Sequence, residues 1–410
     1  MRARCATLFV AALAFAASTH AAEPAAWSER ELRLLASLRL DHTPPPSPSN
    51  RVADDPRAAG LGRRIFSDSG FSDSGARSCA TCHQPERHYT DGLARSVPPA
   101  GRNAPTVVGG AYGSWFTWDG RRDSLWAQAL LPFEASNEIG GSRTGVVRRI
   151  ARDARYRADY EAIFGPLPAE LADPEKLPAH AGPLGDDAAR DAWQRLPQPQ
   201  RDRIDRAFSN VGKALEAFER TLLPGDSRFD RYVDALRAGH ADRAAQLLDA
   251  REVAGLRLFI DPAHTQCLQC HNGPQFTNGG FHNLGTGTFE GAALDFGRAL
   301  GIQGVLLDVF NCAGPYSDAR PADCKELRFL SRDAHVPLEG AFKTPTLRDV
   351  AQTAPYFHDG RFATLREVLD YYNAPPTDGS HELRALGLRD EELADLEHFL
   401  RALSGVETAP

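Results

Sequence analysis

Cys79-Ala-Thr-Cys-His83 and Cys267-Leu-Gln-Cys-His271 are the two stretches that decide the fold of this 410-residue chain. In each of them, two thiols stand one helical turn apart and can add to the vinyl groups of a haem, while the adjacent histidine reaches the iron. The alternative is one zinc site built from both CxxC pairs, but such pairs usually lie about 15–20 residues apart. These pairs are much further apart and each is followed by histidine, so the sequence predicts two covalent c-type haems.

The first residues have the pattern of an export signal. Arg2 and Arg4 precede an apolar run over residues 8–17, and small residues follow up to Ala22. The run is too short to cross a membrane. We therefore predict a signal peptide over residues 1–22, a periplasmic location and no membrane span. The net charge of −7, without any basic run, predicts no binding of nucleic acid.

Helical periodicity dominates the rest of the chain, and no clear alternating strand pattern appears. Apolar residues recur with helical spacing between residues 204 and 222, and Pro224-Gly225 ends that helix. Residues 165–200, rich in Pro, Ala and Asp with little periodicity, are predicted to be an insertion. The sequence thus predicts a mainly α fold with two cytochrome c-like haem domains. The predicted segments are an N-terminal linker over 23–50, a first haem domain over 51–224 and a second haem domain over 225–410.

Cys312 and Cys324 are the two cysteines of the exported chain outside the CxxCH motifs. In an oxidising compartment a leftover pair usually forms a disulfide, and the loop between them is rich in turn residues. We predict this disulfide, with two free thiols as the alternative.

Met1 is the only methionine of the chain, and it is removed with the signal peptide. No haem can therefore have a methionine as its second axial ligand, although His/Met ligation is common in electron-carrying cytochromes c. The second ligand matters because an iron with two strong protein ligands mainly transfers electrons, whereas an iron with an open position can bind peroxide or oxygen.

Four further motifs accompany the CxxCH pairs over roughly residues 55–405: Trp118-Asp-Gly-Arg121, Gln128 with Glu138 ten residues on, Lys343-Thr-Pro-Thr-Leu-Arg348 and Pro355-Tyr-Phe-His-Asp-Gly360. With these motifs the chain resembles the bacterial dihaem cytochrome c peroxidase family, which includes MauG. The resemblance implies a peroxidase-type oxidoreductase that reacts with hydrogen peroxide. It also implies a peroxidatic haem in the first domain, an electron-transfer haem in the second, and Trp118 between the two haems.

The resemblance also implies a calcium ion between the domains. The matching ligands are the side chain of Asn103 and the backbone carbonyls of Thr353 and Pro355, and neutral oxygens suit a hard cation. The alternative for Asn103 is a turn-forming role before Ala-Pro.

Tyr372 stands where typical members of the family have the methionine ligand of the second haem and where MauG has tyrosine. Thr364 and Glu367 form a capping box that begins a helix, and Tyr372 then falls on its apolar face, whereas Tyr371 points elsewhere. We predict Tyr372 as the second ligand, beside His271, of the second haem iron; packing is the alternative.

The first haem is predicted to be open at rest, with His83 as its protein ligand. Many family peroxidases carry a histidine in the loop after the first CxxCH, but residues 89–103 contain none. His88 lies too close in sequence to His83 to cross the haem plane.

The distal side of an open haem needs a proton carrier and a polar orienting group. Glu138 matches the family's distal glutamate, Gln128 its distal glutamine and Pro132 a proline over the iron. Glu134 is the competing carboxylate, although its spacing from Gln128 does not match. A solvated surface position is the alternative for Glu138.

These features predict a MauG-like peroxidase that relays oxidising equivalents through Trp118 to the second haem and oxidises a periplasmic electron donor or a protein substrate. One alternative is an ordinary cytochrome c peroxidase that removes hydrogen peroxide with a small cytochrome c or cupredoxin as donor. Another is a non-catalytic dihaem electron carrier. MauG passes oxidising equivalents out through a surface tryptophan two residues before the second CxxCH; here that residue is Thr265, so we predict a different exit.

Overall fold

The computed structural model describes residues 26–96, 101–287, 294–330, 338–377 and 381–405. The predicted signal peptide over residues 1–22 lies outside these ranges. Within them, no helix is long and apolar enough to span a membrane.

The described residues are mainly helical, as predicted, with one small antiparallel sheet. The α-helices are α1 (Glu29–Leu38), α2 (Pro56–Ser67), α3 (Cys79–Cys82), α4 (Leu125–Glu134), α5 (Arg143–Arg152), α6 (Ala154–Phe164), α7 (Ala169–Ala172), α8 (Asp187–Gln194), α9 (Gln198–Glu219), α10 (Arg228–Arg237), α11 (Ala241–Leu247), α12 (Ala250–Ile260), α13 (Cys267–Cys270), α14 (Arg298–Leu306), α15 (Leu365–Asn373) and α16 (Asp390–Arg401). The strands are β1 (Phe281–Asn283) and β2 (Ala341–Lys343), paired with Phe281 opposite Lys343.

Two hydrophobic cores divide the helices. The first is built mainly from α2, α4, α5, α6 and α9, with Phe66, Phe133 and Phe208 among its fully buried side chains. The second is built mainly from α10, α12, α15 and α16, with Phe229 and Phe399 at its centre. Each core carries one CxxCH motif at its edge, because Cys79 and Cys267 pack against the first and second core respectively.

A glycine at the crossing of two helices recurs in both cores. Gly62 of α2 lies against the backbone of α9, where an added Cβ would overlap the carbonyl oxygen of Ala214. Gly255 of α12 lies against α16 in the same way, where a Cβ would overlap the carbonyl oxygen of Asp395. In each core the glycine-bearing helix is the one that precedes the CxxCH motif, so the close crossing sets where each motif begins.

The two cores exchange segments across the predicted boundary at 224/225. Helix α1, which lies in the predicted N-terminal linker, buries Leu35 and Leu38 in the second core. Phe310 and Tyr316, from the second half of the chain, are buried in the first core. The predicted disulfide between Cys312 and Cys324 is confirmed and closes the segment that carries Tyr316.

Residues 165–200, predicted to be an insertion, pack against the first core. Leu171 and Leu177 are buried in the first core, and Trp193 of α8 is only 6% exposed there. The Arg143 guanidinium lies 5.2 Å from the centre of the Trp193 ring. The apolar residues are too widely spaced to give a periodic pattern, yet they cover one side of the core.

We expect Gly62→Ala to lower the free energy of unfolding by about 1–3 kcal/mol, since a methyl group forced between packed helices must move α2 from α9. Gly60 is the matched control on the same helix, because it is exposed and a Cβ there meets nothing within 4 Å. Gly60→Ala should raise stability by up to about 1 kcal/mol, through the lower backbone entropy of alanine in the unfolded chain. Thermal melts followed by circular dichroism would measure both, and equal effects of the two substitutions would contradict the crossing described here.

Candidate haem and peroxide site

The two CxxCH motifs fold in the same way. Cys79–Cys82 and Cys267–Cys270 each form a single helical turn. The backbone N–H of His83 donates to the Cys79 carbonyl at 2.9 Å, and that of His271 donates to the Cys267 carbonyl at 2.8 Å. None of the four motif cysteines is in a disulfide, so all four thiols are available to a haem.

Both motif histidines are oriented for ligation by Nε2. His83 Nδ1 lies 3.1 Å from the Tyr89 carbonyl oxygen and His271 Nδ1 lies 2.9 Å from that of Phe276. A carbonyl can only accept, so Nδ1–H donates and Nε2 keeps its lone pair. Burial lowers the pKa of His83 and lowers that of His271 to about 4, which keeps both rings neutral.

Each histidine faces its own cavity. His83 and Cys82 line a cavity of about 790 Å³, and a smaller adjoining space of about 50 Å³ also contains Cys79. His271 lines a second cavity of about 290 Å³ together with Cys267 and Cys270. A cleft lined by two free thiols and a neutral, oriented histidine fits a covalent haem in both cores.

Trp118 lines both cavities. Its indole N–H donates to the Asn103 carbonyl at 2.9 Å, and the Asn103 N–H donates to the His358 carbonyl at 2.7 Å. The Trp118 and His358 rings meet edge to face, with their centroids 6.5 Å apart. This side chain is therefore held between the clefts by the loops of both halves, as the motif resemblance implies.

The loops that carry Trp118 and His358 are copies of one structure. In each, a bridge between residues six apart encloses a turn with one left-handed non-glycine residue, and a Ser or Thr N-cap then begins a helix. The equivalent features are the bridges Phe116–Arg122 and Tyr356–Phe362, the left-handed residues Thr117 and Phe357, and the N-caps Ser124 and Thr364 of α4 and α15.

The repeat makes Pro132 of α4 and Tyr372 of α15 equivalent, because each is the eighth residue of its helix. Both line the cavity of their own half. Proline has no side-chain donor atom for a metal, whereas tyrosine has a phenolic oxygen. The same position thus offers a ligand to the second cleft and none to the first.

Tyr372 and its neighbour Tyr371 have different surroundings. The Tyr371 hydroxyl donates to the Leu284 carbonyl at 2.6 Å, and Tyr371, unlike Tyr372, does not line the second cavity. Burial, with the motif thiols Cys267 and Cys270 nearby, raises the pKa of the Tyr372 phenol well above its usual value. A cation is needed to hold the phenolate there.

Gln128, Pro132 and Glu138 line the first cavity together with His83. Gln128 and Pro132 are one turn apart on α4, and Glu138 follows the helix, where the guanidinium of Arg77 donates to its backbone carbonyl at 2.8 Å. Burial raises the pKa of the Glu138 carboxyl, opposed only in part by Arg121. A carboxyl whose pKa is raised is a better proton acceptor when ionised than an ordinary carboxylate.

Glu134, the competing carboxylate, has a structural partner instead. Its carboxylate lies 2.7 Å from the guanidinium of Arg143, which also pairs with Asp205 at 2.6 Å. All three side chains are mostly buried in the first core. Glu134 does not line the cavities that contain His83, whereas Glu138 lines both of them.

The predicted calcium ligands lie on one wall of the second cavity. Asn103, Thr353 and Pro355 all line it. The Asn103 amide nitrogen donates to the Leu93 carbonyl at 2.8 Å, so its oxygen is the atom that could face a cation. The calcium ion itself stays a prediction.

Two residues that line the clefts, Glu219 and Lys343, were not predicted from the sequence as site residues. Glu219 lines the small space beside Cys79, and burial, followed by the nearby Glu216, raises its pKa to about 8. Lys343 lines both large cavities. Glu219 directly follows Phe218 of the apolar helical pattern, and Lys343 is part of a quoted motif, but neither pattern carries a chemical role by itself.

A family model described as di-haem cytochrome c peroxidase matches residues 56–237. The methylamine utilization protein MauG of Methylorubrum extorquens is 31% identical over 405 residues, covering 97% of this chain and 92% of the relative. The chain belongs to the di-haem cytochrome c peroxidase/MauG family. Cytochrome-c peroxidase IdrP1 of Denitromonas iodatirespirans is also 31% identical, over 87% of this chain and 84% of its own.

Solved structures agree with this membership. A MauG-like protein associated with microbial copper homeostasis is 25% identical, with a TM-score of 0.57 over 93% of this chain and 96% of that one. The diheme peroxidase BthA of Burkholderia thailandensis, 23% identical, shares the fold with a TM-score of 0.61 over 90% of this chain and 89% of its own. The protein is therefore a peroxidase-type oxidoreductase of a family that carries two c-type haems and takes hydrogen peroxide as substrate.

We expect Glu138→Gln to slow the reaction with hydrogen peroxide by about 10²–10⁴-fold, because the amide cannot accept the proton. In the wild-type protein the rate should fall as pH is lowered through the raised pKa of Glu138, since only the ionised carboxyl accepts a proton. That dependence should be absent from the variant. Stopped-flow absorbance over a pH series measures both effects.

Glu134→Gln is the matched control for that experiment. It should leave the rate close to wild type and instead lower the free energy of unfolding by about 1–3 kcal/mol, because Arg143 loses one of its two carboxylate partners and keeps Asp205. A normal rate for Glu138→Gln with a slow Glu134→Gln would reverse the assignment.

Proposed function

We propose that this protein is a periplasmic, MauG-like peroxidase that takes oxidising equivalents from hydrogen peroxide in the first cleft and delivers them from the second to a partner at its surface. The observation that carries the proposal is the equivalence of Pro132 and Tyr372 in the repeated loop–helix unit. It supports an open first site and an oxygen-ligated second site in one chain. A bound haem supplies the iron that reacts with peroxide and holds oxidising equivalents.

In the first cleft, the proposed role of the protein side chains is to transfer a proton and to position the peroxide. Cleavage of the peroxide O–O bond needs a proton taken from one oxygen and given to the other. Glu138 carries that proton, and the Gln128 amide orients the peroxide through hydrogen bonds. Pro132 keeps a coordinating side chain away from this face. The raised pKa of Glu138 supports its role, because the best acid/base groups titrate near the working pH.

In the second cleft, the proposed ligands are His271 and Tyr372. An anionic phenolate stabilises oxidised iron better than a neutral thioether would, and Met1 is the chain's only methionine. Burial raises the pKa of the Tyr372 phenol and so disfavours its ionised form. Ionisation of Tyr372 would therefore depend on a bond to the iron.

Trp118 is the proposed relay between the clefts. It lines both cavities, and its N–H is bonded to Asn103, whose own N–H is bonded to the loop of the second half. Asn103, Thr353 and Pro355 would hold a calcium ion beside this contact.

The route out of the second cleft is proposed to differ from that of MauG. Thr265 is 1% exposed and its hydroxyl donates to the Leu258 carbonyl at 2.7 Å. A buried threonine cannot be oxidised as a surface tryptophan can, which supports a partner other than the substrate of MauG.

Tyr372→Phe should remove or strongly shift the low-spin signal in the electron paramagnetic resonance spectrum of the oxidised protein, while the high-spin signal of the open site remains. The reason is that phenylalanine has no oxygen ligand. Tyr371→Phe, one residue away and bonded to Leu284, is the matched control and should leave both signals in place. A low-spin signal unchanged in Tyr372→Phe would exclude tyrosinate ligation.

Delivery to a partner is tested by adding one equivalent of hydrogen peroxide and timing the decay of the oxidised protein by absorbance. We expect the oxidised form to last for seconds or longer without a donor and to disappear quickly when a periplasmic extract is added. Immediate decay, accelerated only by reduced cytochrome c, would contradict the proposal and favour the ordinary cytochrome c peroxidase.

A further inference from the structure

Lys343 lies at the boundary between the two haem clefts. Its backbone is fixed there, because β2 pairs Lys343 with Phe281 of β1 and its N–H donates to the Trp118 carbonyl at 2.8 Å. Its side chain lines both the cavity of His83 and the cavity of His271. It is thus a cationic group that faces both cofactor spaces.

The ammonium group of Lys343 has no anionic partner among the described residues. Burial alone lowers its pKa, to about 8, and no charged side chain of the described chain opposes that shift. Lys213 and Arg102 are paired, by contrast: Lys213 Nζ lies 2.7 Å from the Asp318 carboxylate, and Arg102 lies 2.7 Å from both Asp119 and Asp295.

An ammonium that lines a cofactor cavity without a counter-ion is unfavourable, so its position indicates an anion that comes from outside the chain. A c-type haem would bring two propionate carboxylates, on the edge of the ring opposite its vinyl groups. Cys79 and Cys82 would hold the vinyl edge in one cleft, and Cys267 and Cys270 would hold it in the other. A propionate would then be the anion available to Lys343.

We propose that the Lys343 ammonium binds haem propionate at the boundary of the two clefts, as a positioning residue that fixes the cofactor edge beside Trp118. Charge-assisted N–H···O bonds to carboxylate are short and strong. A cation at this place also favours the reduced iron, because reduction removes one positive charge from its neighbourhood. The inference rests on the two haems of the family and not on the peroxide and relay steps proposed above.

Three variants test this assignment: Lys343→Met, Lys343→Arg and the control Lys325→Met, which removes an exposed lysine remote from both cavities. Spectroelectrochemical titration, without peroxide, measures the midpoint potential of each haem. We expect Lys343→Met to shift at least one potential to more negative values, Lys343→Arg to stay near wild type, and the control to shift neither. Unchanged potentials in a Lys343→Met protein that keeps both haems would overturn the assignment.

A second measurement covers the case in which Lys343→Met fails to fold or to take up haem. In a crystal structure of the haem-loaded wild-type protein, Nζ of Lys343 should lie about 2.7–2.9 Å from a propionate oxygen. An Nζ bound instead to water or to a free anion such as phosphate would overturn the proposal. Neither measurement depends on turnover. Both can therefore still be interpreted if the proposed peroxidase function proves wrong.

Discussion

The close crossing of two helices, with a glycine at the contact, is the constraint on which the rest of the structure depends. Gly62 brings α2 against α9, and Gly255 brings α12 against α16. Without a side chain at these positions the helices approach until backbone meets backbone, and the larger neighbours interdigitate around the contact. The chain leaving each glycine-bearing helix then enters a CxxCH turn, so the position of each motif histidine follows from the crossing.

A loop and helix of the same structure line the cleft of each core. Trp118 and His358 occupy equivalent positions in the two loops, and Pro132 and Tyr372 occupy equivalent positions in the two helices. The same local structure therefore presents a phenolic oxygen to one cleft and no side-chain donor atom to the other, so a single residue can change what each cleft offers to a metal.

Most of what could be predicted from the sequence came from patterns among residues that are close to one another in the chain. The CxxCH spacing, the capping box before α15 and the apolar face that selects Tyr372 all depend on residues a few positions apart. The packing that depends on contacts between residues far apart in the sequence was not predicted. Helix α1 packs in the second core, and the disulfide-closed segment with Tyr316 packs in the first. The ion pair of Glu134 with Arg143 was also not predicted, and it adds a structural reason for setting Glu134 aside to the spacing that the sequence already showed.

The charges around Trp115 and Trp118 bear on which of these two tryptophans would act as the proposed relay. The Arg298 guanidinium lies 4.2 Å from the centre of the Trp115 ring, so a positive charge placed on that indole would be repelled at close range. Trp118 packs edge-on against His358 instead, and burial lowers the pKa of that histidine to about 4, which keeps its ring neutral. The cation in direct contact with an indole ring therefore opposes a positive charge on Trp115, whereas the ring that packs against Trp118 is neutral. The indole N–H of Trp118, bonded to a carbonyl oxygen, further favours a positive charge there, because the acceptor oxygen faces the group that would carry it.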